Sequence, residues 1–266
     1  MIQLVQQAAL LAGTLVGAAT DAKTGYIYDW VTYPMIAVGI ITSLLAWQTT
    51  NLVLGLAMFV LLFVGYRLGK IGGGDVKKFT GIALLNPYND INFLLTTALF
   101  AAALSMLFYS AFYSIKYARK GIKWEENREG ILKAGILGLA LALYFAAMAG
   151  YGLMNSFMLY ALGVPFAFGL VFVALQNGIK RNFFEKRIAV GKLEEDEIIA
   201  AGRNTEKVTA ALKGKQLIGK KEAALLKKHG VKFVFVLRDL PKFGPFIFFG
   251  VLVAIIQPNF FALLLA

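Results

Sequence analysis

Apolar residues fall in seven long blocks, at 2–20, 31–47, 52–69, 91–115, 131–150, 153–175 and 243–265. Each is long enough, or nearly so, for a helix to cross a hydrocarbon core of about 30 Å. An eighth segment, 75–85, is shorter: Lys77 and Lys78 open it, Gly81-Ile82-Ala83-Leu84-Leu85 follows, and Asn86-Pro87 closes it. It reads as a short or partly re-entrant helix that starts at a Gly-Gly-Gly turn. Polar residues concentrate in one later stretch, 177–242. There 193–201 and 220–228 have helical character, Gly230 is placed as a helix stop, and 231–237 alternates like a short strand. Pro241 and Pro245 then bracket Gly244 ahead of the last block.

This pattern predicts an all-α polytopic membrane protein of 7–8 transmembrane helices with a small α+β cytoplasmic domain near the C-terminus. The expected units are a membrane domain over 1–176, a basic domain over 177–242 and a final helix over 243–266. The first block has neither a basic leading region nor a small-residue cleavage site before Asp21, and reads as a retained helix.

The positive charges decide between the two counts. If 75–85 crosses, all 27 Lys and Arg fall on one side: Lys23, the region 67–78, the loop 116–133 and the region 177–242. If it does not cross, the basic loops divide between the two sides. Eight spans, with both ends of the chain outside, is therefore the better count, and it puts Asp21 and Asp75 on the same cytoplasmic face. The net charge of +12 is read first as topology and only then as a partner signal; nucleic acid is not expected. A basic domain beside a bilayer is instead drawn to anionic headgroups, unless it serves topology alone. Hydrophobic residues make up 59% of the chain and cysteine is absent, which removes disulfides, thiolate metal sites and a Cys nucleophile. The single histidine, His229, lies in a Lys-rich stretch and reads as a helix C-terminal residue. No metal and no cofactor is expected.

The chemistry points to carboxylates. Gly72-Gly73-Gly74 ends in Asp75, and an aspartate at membrane depth is costly enough to suggest function. Asp21 supplies a second carboxylate at the end of the first block. Two aspartates brought together share a proton and titrate as a pair, the chemistry of an aspartic protease. The glycines let a substrate strand approach the backbone beside Asp75, or let the loop swing toward Asp21. Plainer readings stand beside these. Asp75 suits a helix N-cap, Asp21 an interfacial position, and Lys77 and Lys78 snorkelling topology determinants. Trp30, Tyr33 and Trp47 suit an aromatic belt. A different class of function also fits: a transporter or channel whose aspartates bind a cation or relay a proton near a broken helix. A catalytically silent scaffold is a third.

Asp21-Ala-Lys-Thr-Gly-Tyr-Ile-Tyr-Asp29-Trp-Val-Thr, followed by Gly72-Gly-Gly-Asp75-Val-Lys77, resembles the type IV prepilin peptidases, in particular their archaeal branch with the preflagellin (prearchaellin) peptidases. These are GxGD aspartic proteases. The resemblance implies that Asp21 and Asp75 are catalytic, that Gly72 and Gly74 are the motif glycines with Gly73 between them, and that Lys77 is the trailing lysine. Ile27-Tyr28 stands where the family usually has Ile-Pro. The likeness is strongest over 14–90, and the segment before the last block, with Leu-Pro-Lys-Phe-Gly-Pro-Phe, is similar to the C-terminal part of archaeal members. The cysteine domain of bacterial members is missing, so peptidase action without methylation is implied. The implied partners are the bilayer and prepilin or prearchaellin precursors with class III leader peptides, cut at the cytoplasmic face of the cell membrane. Asp29 and the Glu125-Glu126 pair are expected to help orient the basic leader.

Overall fold

The structure is a computed structural model that describes residues 1–69, 71–194, 197–200, 202–212, 215, 217–260 and 262. The apolar blocks form helices α1 (Ile2–Thr24), α2 (Asp29–Leu45), α3 (Thr49–Arg67), α5 (Ile91–Ala118), α6 (Trp124–Gly150), α7 (Ser156–Ile179) and α10 (Gly244–Ile256). The short segment forms α4 (Gly73–Leu84). Among the described residues, α1, α3, α5, α6 and the run Ser156–Phe184 are long and apolar enough to cross a membrane, while α2 and α10 are shorter apolar helices. The last helix stops well short of the expected 265. Its C-cap, Gln257, leaves helical geometry at φ −137° because Pro258 follows it, and 263–265 lie outside the described residues.

Helix α4 is the axis of the bundle. At 12 residues it is about 18 Å long, yet it runs between the two ends of α2. Lys77 pairs with Asp29 at the start of α2, and the Ser43 hydroxyl near its end donates to the Leu84 carbonyl at 2.9 Å. Helix α4 can be this closely surrounded because its neighbours present glycines. A Cβ on Gly39 would sit 2.6 Å from that of Leu84, and one on Gly55 2.5 Å from a Leu84 methyl. Ile82, Ala83 and Leu85 are buried with Leu10, Val31, Met35, Phe93, Ile247 and Val251 in one core shared by α1, α2, α4, α5 and α10. Helices α6 and α7 attach to the flank of α5. There Asn127 donates to the Tyr117 hydroxyl and accepts from the Gly178 N–H, tying the three helices together.

The two ends of the bundle differ. At one end lie the end of α1, the starts of α2, α4 and α10, and the α5–α6 turn, joined by bonds such as Gly244 N–H to Asp21, Tyr109 to the Lys242 carbonyl and Lys242 to the Ala22 carbonyl. The opposite end is near neutral, with no Lys or Arg in its turns and Asp90, which caps α5, as its charged side chain among the described residues. Gln6 and Asn51 donate to Gln48, Asn51 also donates to the Asn86 carbonyl, and Asn89 accepts from the Asn51 N–H.

Beyond α7 the chain turns through Lys180–Phe184 into an antiparallel sheet of β1 (Glu185–Ala189), β2 (Glu197–Ile199), β3 (Leu217–Ile218) and β4 (Phe233–Leu237), ordered β1-β4-β2-β3. Val234 and Val236 of β4 face inward, as a half-buried strand requires, onto Val208 and Leu212 of α8 (Glu206–Leu212) and Leu226 of α9 (Lys220–Lys228). The expected helix over 193–201 is instead β2, with 195, 196 and 201 outside the described residues. Pairing of Ile198 and Ile199 with Leu237 and Val236 outweighs the helical composition of that acidic run. The expected helix at 220–228 forms, with His229 as its C-cap and Gly230 at φ +69° behind it.

Candidate functional site

Asp21 lies in the last turn of α1 and is buried. Its Oδ2 accepts a hydrogen bond of 2.6 Å from the N–H of Gly244, the first residue of α10. Glycine is required there, since a Cβ would lie 2.8 Å from both the Cβ and Oδ2 of Asp21. Pro245 follows, a residue suited to a first helical turn because it has no N–H to leave unpaired. The result is a helix N-terminus aimed at a carboxylate, a favourable electrostatic arrangement.

Asp75 is half-buried in the first turn of α4. Gly72 is the N-cap, and no side chain caps the helix, so the capping explanation for Asp75 does not hold. Asp75 lies within electrostatic reach of Asp21, which brings the two predicted carboxylates to one locus. None of the three glycines uses a positive φ. They serve close approach instead. A Cβ on Gly74 would stand 3.0 Å from the Ile27 carbonyl oxygen, one on Gly73 3.4 Å from the Tyr66 ring, and one on Gly72 3.3 Å from Oδ2 of Asp75.

The two lysines part company. Lys77 turns toward α2, where it pairs with Asp29 at 2.5 Å and lies over the Tyr33 ring. Lys78 turns inward and is 1% exposed, which removes the snorkelling explanation for it. Its Nζ donates to the Gly244 carbonyl at 3.1 Å and lies within electrostatic reach of both aspartates. In the sequence, Lys77 stands out as the trailing motif lysine, Lys78 only as a snorkelling residue, and Gly244 carries no role in the site. The available signal for Lys78 was its spacing: three residues after Asp75, it shares that face of the helix. Gly244 was marked only by its flanking prolines.

The acids expected to receive a basic leader are already engaged in part. Asp29 holds Lys77, and Glu126 faces Lys123 and Arg181. Glu125 is exposed. Trp30 and Tyr33 are exposed at the charged end and Trp47 at the neutral end, the placement of an aromatic belt. Among the described residues, no three His, Cys, Asp or Glu side chains converge as a metal-binding group.

No curated protein and no solved structure matches the chain. A family model does, over the segment from α1 to most of α5, which contains Asp21, Asp75 and Lys78 and stops before Gly244. The several long apolar helices and this match fit a multi-pass membrane protein with a leader-peptidase role. Residues 8–113 match the model of the type IV leader peptidase family, the family to which the sequence motifs are similar.

Proposed function

We propose that the chain is a membrane-embedded GxGD-type aspartic endopeptidase that removes the short basic leader from prepilin-like or prearchaellin precursors at the cytoplasmic membrane face. The observation that carries this reading is that Asp21 and the Asp75 turn of α4 lie at the same end of the bundle, where Asp21 accepts from the Gly244 N–H and Lys78, one turn past Asp75, donates to the Gly244 carbonyl. The same end collects the basic loops, and the turns at 46–48, 85–90, 151–155 and 257–260 contain no Lys or Arg. By the positive-inside rule that end is cytoplasmic, with α1–α7 and α10 as eight spans and 177–242 as a cytoplasmic domain.

In the proposed reaction the pair holds one proton. The ionised carboxylate takes a proton from a water whose oxygen attacks the scissile carbonyl, while the protonated carboxyl gives its proton to the carbonyl oxygen. Collapse of the resulting diol breaks the C–N bond, with a proton passing to the leaving amine. The Gly244 N–H keeps Asp21 oriented throughout. The exposed Gly72 leaves backbone open beside Asp75 for the substrate strand.

A transport path would need ionisable groups through the bundle. Among the described residues, the buried charged side chains are Asp21, Lys78 and Glu197, the last in the sheet domain, and the far end holds neutral amides. The test is cleavage of a class III leader by the purified protein in lipid. Asp21→Asn and Asp75→Asn are each expected to abolish it while the protein stays inserted and folded. Normal cleavage by either variant would end the assignment.

A further inference from the structure

Lys78 is a buried cation that the proposed hydrolysis does not use. Removing an ammonium from water is costly even after the protein relaxes around it, and a single backbone carbonyl is poor compensation. The surroundings show what the cation serves. Its stem runs along Gly17, one turn before Asp21, where a Cβ would stand 3.5 Å from both Cε and Nζ. Its Nζ binds the carbonyl of Gly244, the residue whose N–H binds Asp21. Its backbone lies on the same face of α4 as Asp75, one turn further on. One glycine at the head of α10 thus receives a bond from the helix of one aspartate and gives a bond to the other.

We propose that Lys78 is a positioning residue of the aspartate pair: its bond to Gly244 locks the α4 face carrying Asp75 against the residue that holds Asp21, and its charge offsets the repulsion between the two carboxylates. The proposal rests on the peptidase reading for its kinetic consequence and on the geometry alone for its structural one. A merely space-filling lysine would be replaced well by methionine, which has similar length and no charge. A positioning lysine would not.

The experiment uses the full chain in lipid nanodiscs with a fluorogenic peptide carrying a class III leader. Lys78→Met is expected to lower kcat about 100-fold while KM changes less than about threefold, the signature of misplaced catalytic groups rather than lost binding. Lys78→Arg, which keeps the charge, is expected to recover about tenfold of that loss. A second arm needs no activity. The chain has no cysteine, so Asp21→Cys with Asp75→Cys gives two thiols whose cross-linking by a short bifunctional reagent reports their approach. Adding Lys78→Met to that pair is expected to slow cross-linking several-fold. Wild-type kcat in Lys78→Met, or an unchanged cross-linking rate, overturns the proposal. If the unmodified protein cleaves no leader, the peptidase reading falls and the cross-linking arm still decides the positioning role.

Discussion

The two ends of the helix bundle solve the same problem with different chemistry. At the neutral end, the buried amides of Gln6, Asn51 and Asn86 and the partly exposed amide of Gln48 bond to each other and to backbone, fastening α1, α3 and the α4–α5 turn. At the charged end, Asp21 and Lys78 are also buried, but each bonds to a single backbone group of Gly244. Neutral amides stabilise without a penalty for buried charge. Ionisable groups held by one glycine make a poorer clamp and a better reaction centre, so the comparison separates stability from chemistry along one axis of the molecule.

The largest test of that separation follows from Asp21 and Asp75: loss of either carboxyl is expected to remove at least about 1000-fold of the cleavage rate with little change in thermal stability, measured by coupled turnover and melting assays. Gly244→Ala comes next. Its new Cβ would meet Asp21 at 2.8 Å, and displacing that carboxylate by even part of an ångström is expected to cost about 100-fold in kcat. An active Gly244→Ala variant would show that the head of α10 is not needed to hold Asp21. At the neutral end the expectation reverses. Asn51→Ala strands the Asn86 carbonyl and should cost about 2 kcal/mol of stability, seen in denaturation, while kcat of the folded protein stays at wild type. A large drop in kcat would mean that the two ends are mechanically coupled.

Smaller effects are expected outside the bundle core. Lys77→Gln breaks an ion pair with the exposed Asp29, worth at most about 1 kcal/mol, and should leave cleavage within about twofold; Asp29→Asn should match it. In the sheet domain, the hydrogen bond from Lys215 holds the Glu222 carboxyl below its usual range, helped by the Gly219 N–H at the start of α9. A carboxyl lowered by folding adds stability above its unfolded value of about 4.3, and that contribution is lost as pH falls through the folded value. Protection factors for hydrogen exchange in α9, corrected for the intrinsic pH dependence of exchange, should therefore fall at acid pH, and Glu222→Gln should remove this dependence.

What the sequence disclosed, and what it hid, follows the range of the forces involved. Helix periodicity and length are local, so the seven apolar blocks and the short segment 75–85 became α1 to α7 and α10, with boundary shifts of a few residues at most ends. Helix α6 begins earlier than its apolar block because polar residues 124–130 continue the same helix into the charged end. Asp21 at the end of α1 and Asp75 after three glycines were visible for the same reason. The bond from Gly244 to Asp21 joins residues far apart in the chain and leaves no periodic trace, so Gly244 was seen only as a glycine between prolines. Lys78 was hidden by its neighbour, since two adjacent lysines look alike in sequence and point in different directions from a helix. Strand β2 was read as helix because an isolated acidic stretch shows its composition and not its partner β4.

The dependence of Asp21 on Gly244 also orders events during synthesis. Helices α1 and α4, with both carboxylates, emerge from the ribosome long before α10, and until residue 244 has been made Asp21 has no N–H from α10 to bind. A nascent chain therefore carries both acids without the contact that orients the first, and the head of the last helix works as a completion signal written into the fold.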